Sequence, residues 1–352
     1  MKKLISIIIP VRNELNYIRL TLDSILKQNN SEQIAEILIV DGLSDDGTRE
    51  VIKNYIKTNS KVQLIDNPDK IVSTGFNRAL SISKGDVILR VDGHSHLSKD
   101  FINSCMTALN NVEADCVGGA TEHISSGLIG NAIKLAQSSG FGVGGVEFRK
   151  VLINGKYVDT LAFGAYKREV FEKIGGYDEE LVRNQDDEFN FRLIQNGGKI
   201  WLDPSIKSFY YSRKSLLKLF KQYFQYGFYK IRVMQKRRDF SSWRHIIPLI
   251  FVFSILIFLI FGIALSVILP FYLFILFYSV VNLFAVLFEM VKMVSKNKIE
   301  IKPQFSFLTF IFLPLVYFIL HFSYGLGSFL GLIYFWNKWN DIDLKDYNFI
   351  RD

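Results

Sequence analysis

Three long apolar segments in the C-terminal third constrain this chain most. They cover residues 246–269, 271–289 and 305–336, and the first of them contains no charged residue. At about 1.5 Å per residue, such helices are about long enough to cross a hydrocarbon core of roughly 30 Å. A buried helix of a soluble protein explains one such segment but not three in succession. We therefore predict a transmembrane region over 245–336 with about three spans, and a short tail at 337–352.

Basic residues are concentrated just before the first of these segments. Residues 207–244 contain eleven Lys or Arg and one acid, Asp239, in a chain whose net charge is +8. Leucine and aromatic residues interleave with the lysines, which predicts one or two amphipathic helices lying against anionic lipid head groups. Nucleic acid is another common partner of a basic segment. Because this segment ends where the membrane region begins, we expect no nucleic-acid binding.

Charge also predicts the orientation in the membrane. The segment before the first span and the link 292–302 are basic, whereas the link at Pro270 is uncharged. By the positive-inside rule, the N-terminal domain and the second link face the cytoplasm and the tail lies outside. The start of the chain shows no signal-peptide pattern, and the two cysteines, Cys105 and Cys116, fit a reducing compartment. We therefore expect a multi-pass protein of the cytoplasmic (inner or plasma) membrane.

Residues 1–206 have the pattern of an α/β domain. Short β-branched runs at 4–9, 37–40, 62–65 and 87–91 alternate with stretches of helical spacing at 14–28, 48–57 and 74–84. This alternation predicts a mostly parallel sheet flanked by helices. Ligands of such sheets bind beyond the carboxyl ends of the strands, so the polar residues that follow each run are the candidate site.

Three of the predicted strands deliver carboxylates to this edge. Glu14 follows the first strand, Asp41 the second and Asp92 the fourth, where the sequence reads RVDGHSHL. A nucleoside diphosphate bound beside a metal ion would use such an edge. The serine and the acids of LSDDGT, just after Asp41, have a second explanation, because such side chains cap helices at strand–helix junctions. Both explanations remain open for that segment.

Two further segments complete the domain. The glycine-rich stretch 118–145 has no clear period, so we expect a mobile loop near the active edge. In a second acidic cluster, Asp186, Asp187 and Glu188 fall in the first turn of a predicted helix, where the helix dipole alone favours acids. The buried side of that helix is expected at Phe189, Leu193 and Ile194.

The order of four motifs in this domain resembles a known family. The motifs are SIIIPVRNE, ILIVDGLSDDGT, GDVILRVDGHS and RNQDDEFNFRLIQNGGKIWLDP. Over about residues 4–205 they resemble the family 2 inverting glycosyltransferases, and the resemblance implies the GT-A fold, a Rossmann-like α/β sheet. Together with QYFQYG and HFSYGLGSFLG further on, RVDGH resembles the membrane-bound branch that includes succinoglycan glucosyltransferase-like enzymes.

The resemblance implies a role for each matching residue. Asp186 falls on the catalytic aspartate that deprotonates the acceptor, and Asp92 on the first residue of the metal-binding Asp-x-Asp motif. Pro10 and Glu14 would line the nucleoside pocket, and Asp41 would accept from the base. The full set expected to contact the nucleotide sugar is Pro10, Arg12, Glu14, Asp41, Ser44, Asp46, Asn77 and Asp92.

Two positions at the catalytic edge depart from the family pattern. Gln185 stands where the family has a glutamate beside the base, and Asp187 and Glu188 are candidates to replace its charge. His94 stands in place of the second Asp of Asp-x-Asp, so Asp92 and His94 are the expected metal ligands. An imidazole ligand shifts the preference from Mg²⁺ towards Mn²⁺. His96 is expected to cap the next helix instead.

Two residues of the basic segment are candidates for the acceptor side. Gln222 begins the only trace of the Gln-x-x-Arg-Trp signature of processive enzymes, which weakens the case for a polymerising synthase. Arg213 is the first candidate for a contact with the pyrophosphate of a lipid-linked acceptor. A solvated or lipid-facing charge explains Arg213 equally well.

These features lead to one principal functional hypothesis and two alternatives. The principal hypothesis is an inverting, metal-dependent, membrane-anchored transferase that moves a sugar from a nucleoside diphosphate sugar, with UDP expected, to a lipid-linked (polyprenyl) acceptor hydroxyl. It would act in the synthesis of a cell-surface polysaccharide or glycolipid, alongside other assembly enzymes. One alternative transfers the sugar directly to a polyprenyl phosphate. The other is a non-catalytic membrane scaffold of a polysaccharide assembly complex.

Overall fold

The computed structural model describes residues 3–145, 153–211, 215–238, 243–296 and 307–343. Contacts divide the described chain into two compact units. The first contains residues 3–123 and 153–211, and the second contains 124–145, 215–238, 243–296 and 307–342. The second unit therefore takes in a segment, 124–145, that lies inside the expected N-terminal domain. The last strand of the first unit continues to Tyr211, five residues beyond the expected domain end at 206.

Four parallel strands form one half of the sheet in the first unit. They are β1 (Ile5–Val11), β2 (Ile34–Asp41), β3 (Val62–Asp66) and β4 (Val87–Arg90), arranged in the order β3-β2-β1-β4. The helices between them are α1 (Ile18–Leu26), α2 (Thr48–Thr58) and α3 (Val72–Ile82). The central strand β1 is buried on both faces, which is why its sequence is almost continuously apolar. These elements confirm the predicted strand–helix alternation.

Antiparallel strands form the other half of the sheet, which is therefore mixed. They are β5 (Ser95–Leu97), β6 (Cys116–Ile124), β7 (Lys156–Tyr157), β8 (Ala165–Lys167) and β9 (Ile200–Tyr211). From β4 the order continues β8-β6-β9-β5, and β7 pairs with β9. The helices of this half are α4 (Phe101–Asn111), α7 (Arg168–Ile174) and α8 (Gln185–Gln195).

The core of the first unit lies on both faces of the sheet. Because successive side chains of a strand point to opposite faces, β1 sends Ile7 and Ile9 into one apolar cluster and Ile8 into the other. Phe189 and Leu193 of α8 belong to the second cluster, as predicted. The prediction for the neighbouring Ile194 was wrong, since that side chain is exposed.

The prediction of a mobile loop over 118–145 was wrong. Strand β6 covers the first part, and helices α5 (Gly127–Ser138) and α6 (Gly140–Val143) cover the rest. Gly118 and Gly119 lie within the strand, where a Cβ would overlap the Phe163 carbonyl and the Ile206 backbone. The glycines there serve close strand packing rather than flexibility.

The second unit is helical. Besides α5 and α6 it contains α9 (Leu216–Arg237), α10 (Ile247–Ala264), α11 (Leu269–Lys296) and α12 (Leu308–Tyr334). In the part of the chain that the structure describes, three helices are long and apolar enough to cross a membrane, over Trp243–Ala264, Leu269–Met293 and Leu308–Tyr334. They correspond to the three predicted apolar segments. In its described part, the basic segment 207–244 begins in strand β9 and continues as one long helix, α9.

Helices α9 and α12 touch through their backbones. A Cβ at Gly227 of α9 would overlap the carbonyl of Tyr324, and a Cβ at Gly327 of α12 would overlap the carbonyl of Phe224. The Ser328 hydroxyl donates to the Gly227 carbonyl at 3.3 Å across the same crossing. Small residues that allow such an approach are typical of helix pairs in membranes.

This crossing predicts the effect of one added methyl group. Gly327→Ala should separate α9 from α12 and lower the apparent melting temperature of the detergent-purified protein, by a packing strain of about 1–3 kcal/mol. Gly130→Ala in α5 is the matched control, because a Cβ there meets its nearest neighbour, the Ser125 Cβ, at an ordinary 3.6 Å. Equal melting temperatures for the two variants would contradict the close crossing.

Candidate active site

The carboxyl ends of the four parallel strands place their final residues along one edge. Asp41 ends β2 and pairs in register with Val11 at the end of β1, and Arg90 ends β4 on the other side of β1. The backbone turns sharply just beyond two of these ends, at Asn13 and Leu43, which both have positive φ values. Such conformations cluster at functional sites because the surrounding structure must hold them in place.

Arg90 joins the two acids predicted to bind the metal and to act as the base. Its Nη2 lies 2.9 Å from Oδ1 of Asp92, and its Nη1 lies 3.3 Å from Oδ2 of Asp186. Its guanidinium carbon lies 5.9 Å from the centre of the Tyr177 ring. The Arg90 side chain is only 9% exposed, so these contacts are weakly screened by solvent. The structure thus brings Asp92 and Asp186 to opposite sides of one buried cation.

Arg90 favours the ionised form of Asp92. Burial alone would raise the pKa of Asp92, but the charge of Arg90 and the nearby His94 lower it below its ordinary value. Asp186 keeps 35% of its side chain exposed at the start of α8, and its Oδ1 accepts from the amide of Asp187 at 3.0 Å. An exposed carboxylate in the first turn of a helix is available to a substrate.

His94 is oriented by Glu14. Its Nδ1 lies 2.9 Å from Oε1 of Glu14, and both side chains are largely buried. Gly93 permits this arrangement, since a Cβ there would crowd Val11 and lie 3.2 Å from Cγ of Glu14. The other ring nitrogen, Nε2, is buried and has no hydrogen-bond partner among the described residues. A carboxylate on one imidazole nitrogen and a vacant second nitrogen is the usual arrangement of a metal-binding histidine.

The residues at this edge could supply some of the ligands of a divalent cation, with the phosphates of a substrate supplying the others. Asp92, at 25% side-chain exposure, and the free Nε2 of His94 are suitable ligands. In the part of the chain that the structure describes, no group of three or more His, Cys, Asp or Glu could hold a metal ion. Mg²⁺ and similar ions are often bound by one or two carboxylates together with the phosphates of the substrate.

His96 has a different place from the one predicted. It lies in β5 and stacks on Phe209 of β9, with ring centres 4.4 Å apart, and its Nδ1 lies 3.3 Å from the Tyr211 hydroxyl. The prediction that it caps the next helix was wrong, because α4 begins only at Phe101.

Asp41 is enclosed by its own neighbours. Its carboxylate accepts from the Ser44 amide at 3.0 Å, the Ser44 hydroxyl at 2.5 Å and Nη1 of Arg49 at 2.6 Å. Arg49 also bonds Asp66 at the end of β3, at 2.8 Å. A nucleobase would have to share Asp41 with these donors, so its contact with the base stays a prediction.

Asp46 and Ser44 of LSDDGT bond to nearby backbone amides, whereas the residue just before α2 is Gly47, which has no side-chain cap. Both explanations of this segment stay predictions. Asp46 accepts from the Thr48 amide at 3.0 Å and from the Leu15 amide at 3.1 Å. Although burial opposes it, these bonds and the Thr48 hydroxyl lower the pKa of Asp46. Ser44 likewise accepts from the Asn13 amide at 2.8 Å. Both residues join the loops that follow β1 and β2.

Of the remaining predicted donor-site residues, two lie at the β1 end and one is committed elsewhere. Pro10 is in β1 and half-buried, and Arg12 follows the strand and is exposed. Asn77 of α3 exchanges hydrogen bonds with the Tyr177 amide and carbonyl, each at 2.8 Å, and donates to Glu179 at 2.8 Å. These bonds fix the loop that carries Tyr177, and the nucleotide contact of Asn77 stays a prediction.

Glu188 already has a charged partner. It is buried and forms a bidentate pair with Arg192, at 2.7 and 2.9 Å. Arg192 also donates to the carbonyls of Ile174 and Gly176. Gln185 begins α8 and is buried, whereas Asp187 is half-buried in the same turn. These contacts give Glu188 a structural role in α8, and its predicted role beside the base stays a prediction.

The two predicted acceptor-side residues belong to the basic segment that precedes the long apolar helices. Gln222 is part of α9 in the second unit, where its Nε2 donates to the Tyr226 hydroxyl at 3.0 Å. Arg213 lies outside the described residues.

The sequence and the fold of this chain match those of known proteins. Residues 6–175 match the profile of the family described as Glycosyl transferase family 2. The chain is 31% identical over 245 residues to the succinoglycan biosynthesis protein ExoA of Rhizobium meliloti (strain 1021), an alignment covering 69% of this chain and 74% of that protein. The chain belongs to glycosyl transferase family 2. This glycosyltransferase acts in the biosynthesis of a polysaccharide or another glycan.

A second relative matches this glycosyltransferase over nearly its whole length. It is the dolichyl N-acetyl-alpha-D-glucosaminyl phosphate 3-beta-D-2,3-diacetamido-2,3-dideoxy-beta-D-glucuronosyltransferase of Methanococcus voltae. The two chains are 27% identical over 337 residues, which cover 94% of this chain and 97% of that protein. The alignment therefore includes the helical second unit.

Two solved structures confirm the GT-A fold. The mannosyltransferase PcManGT from Pyrobaculum calidifontis, solved with GDP-Man and Mn²⁺, superposes with a TM-score of 0.56 at 14% identity, over 94% of this chain and 88% of that one. GalNAc-T7, solved with UDP, GalNAc and Mn²⁺, superposes with a TM-score of 0.50 at 18% identity, over 67% of this chain and 50% of that one.

The structural role of Glu188 predicts a loss of stability on neutralisation. Glu188→Gln leaves the Arg192 charge buried without its carboxylate and should cost about 3 kcal/mol, seen as a lower apparent melting temperature. Glu172→Gln, the same chemical change at an exposed site of α7, is the control and should leave the melting temperature unchanged. A stable Glu188→Gln variant that lacks only activity would contradict this assignment.

Proposed function

We propose that this enzyme transfers a sugar, with inversion at the anomeric carbon, from a nucleoside diphosphate sugar to a hydroxyl of a lipid-linked acceptor. The observation that carries the proposal is the Arg90 bridge between Asp92 and Asp186 at the carboxyl edge of the parallel strands. In the proposed roles, Asp92 would hold the donor diphosphate through a metal ion and Asp186, on the same arginine, would take the proton of the acceptor. UDP is the nucleotide that the family resemblance favours.

Asp186 is the proposed general base. A hydroxyl is a poor nucleophile, and a carboxylate within hydrogen-bond reach that takes its proton in the transition state contributes about 10²–10⁴ in rate. Its pairing with Arg90 at 3.3 Å keeps the carboxylate oriented while a third of the side chain stays open to an acceptor. Single-step displacement needs only this one base.

Asp92 and the Nε2 of His94 are the proposed ligands of a divalent cation, Mn²⁺ or Mg²⁺. The cation supplies Lewis-acid stabilisation of the charge that develops on the departing diphosphate. Glu14 holds the His94 ring so that Nδ1 is the bonded nitrogen and Nε2 faces away from Glu14. The Mn²⁺ complexes of PcManGT and GalNAc-T7 support a metal of this kind.

Attachment to a membrane is the second part of the proposal. The three long apolar helices would anchor the enzyme in the cytoplasmic membrane with the first unit facing the cytoplasm. A lipid-linked acceptor fits this location. It is also supported by the Methanococcus voltae relative, whose name describes transfer to a dolichyl-linked sugar phosphate.

Replacing Asp186 tests the reaction class. With purified protein, Mn²⁺ and a panel of nucleotide sugars, Asp186→Asn should lower acceptor-dependent release of nucleoside diphosphate by about 10²–10⁴ and leave donor affinity unchanged. Glu172→Gln is the matched control and should keep full activity. Near-normal turnover of Asp186→Asn would contradict a hydroxyl acceptor and favour direct transfer to a polyprenyl phosphate, whose oxygen needs no base. Failure of the unsubstituted protein to bind any nucleotide sugar would favour the scaffold alternative.

A further inference from the structure

Helices α9 and α12 run parallel along their shared length. The residue numbers of the contacting pairs increase in the same direction along both helices. Phe224 contacts Gly327, Phe228 contacts Gly331, and Gln235 donates to the Phe335 carbonyl at 2.8 Å. Whatever depth one helix reaches in a membrane, the other reaches as well.

The segment that follows α12 is fastened to the end of α9. Arg232 is completely buried, donates to the Lys338 carbonyl at 3.0 Å and pairs with Asp341 at 3.2 Å. These bonds join a charged part of α9 to residues that sequence reasoning had placed outside the cell. The positive-inside rule uses only the charges of the links and takes no account of such a contact.

Helix α9 is too highly charged to cross a bilayer. Its 22 residues include six Lys or Arg, at Lys218, Lys221, Lys230, Arg232, Lys236 and Arg237. A single basic residue at the centre of a spanning helix costs about 2.5–3.5 kcal/mol on the insertion scale. If α12 crossed to the far side with its C-terminal end, its parallel partner would carry this charge across with it.

The start of α10 leads to the same conclusion. A Cβ at Gly325 of α12 would overlap the carbonyl of Pro248, in the first turn of α10. Chain order puts α10 just after the basic segment, so this turn is where the chain first enters the bilayer. That entry point lies beside the C-terminal part of α12, not beside its beginning.

We propose that α10 and α11 alone cross the bilayer, as a hairpin, and that α12 lies along the membrane surface beside α9. The segment 335–343 then stays on the same side as α9, which is the cytoplasm under the proposed function on which this inference rests. Lipid is the partner of the outer face of α12, where Ile311, Leu315, Phe318, Leu330 and Ile333 are exposed while the opposite face is buried on its neighbours. Trp336 and Trp339, exposed just beyond, suit the head-group level.

Helix α11 is consistent with this arrangement. It has 28 residues, about 42 Å at the usual rise and more than a span of roughly 30 Å requires. Asn282, halfway along α11, donates to the Pro314 carbonyl at 3.0 Å, and the Tyr278 hydroxyl one turn earlier lies 3.0 Å from Nδ1 of His321. Val286, in the second half of α11, belongs to the same buried apolar cluster as Leu313 and Val316 of α12. This half can leave the hydrocarbon and rest on the surface helix.

Cysteine labelling in right-side-out membrane vesicles tests the arrangement. The variants are Asn340→Cys after α12, Ser266→Cys between α10 and α11, and Asn54→Cys in α2, all at exposed positions. The native Cys105 and Cys116 are buried, so the unsubstituted protein gives the background. With an impermeant maleimide we expect Ser266→Cys to react in intact vesicles, and Asn340→Cys and Asn54→Cys to react only after permeabilisation.

The outcomes separate this inference from the proposed function. Labelling of Asn340→Cys together with Ser266→Cys in intact vesicles would overturn the inference and restore three spans, leaving the transferase proposal intact. Labelling of Ser266→Cys only after permeabilisation would contradict the membrane crossing itself. A protease site appended after Asp352 gives a second measurement without substituting any residue of the chain. Cleavage there should be blocked in intact vesicles.

Discussion

The candidate active edge depends on the two ion pairs of the Arg90 guanidinium. Arg90 ends a buried strand, and it contacts the carboxylates of Asp92 and Asp186 from one largely enclosed position. A buried charge is tolerated only when it is paired, so each acid helps to stabilise the cation that orients the other. The end of β4 and the first turn of α8, far apart in sequence, are thereby held at one site.

Two further contacts orient the side chains around this bridge. Glu14 turns the His94 ring, and Asn77 fixes the loop of Tyr177, whose ring lies against Arg90. Glu188 secures α8 through Arg192. Two acids near the site, Asp92 and Asp186, keep part of the side chain exposed to solvent. The other two, Glu14 and Glu188, are largely buried and hold neighbouring side chains in place.

Sequence reasoning predicted the parallel half of the fold and led to acids at the candidate site. The same physical reasons explain what it missed. β1 is buried on both faces, so its apolar run identified it, and the carboxyl-edge rule then led to Asp41 and Asp92. Arg90 was missed because an arginine at a strand end looks like an ordinary surface charge. The role of Glu188 was visible in its spacing of four residues from Arg192, which is typical of a helical ion pair. Helix α5 could not be predicted, because its glycines resemble those of a loop.

The proposed metal site is tested most directly by measuring whether a histidine nitrogen coordinates the bound metal. In the Mn²⁺ complex formed with UDP, electron spin-echo envelope modulation should show coupling to one imidazole nitrogen, confirmed by ¹⁵N-labelled histidine. That coupling should vanish in His94→Asp and persist in His96→Gln. Absence of histidine coupling in the unsubstituted enzyme, or its persistence in His94→Asp, would contradict a metal site built from Asp92 and His94.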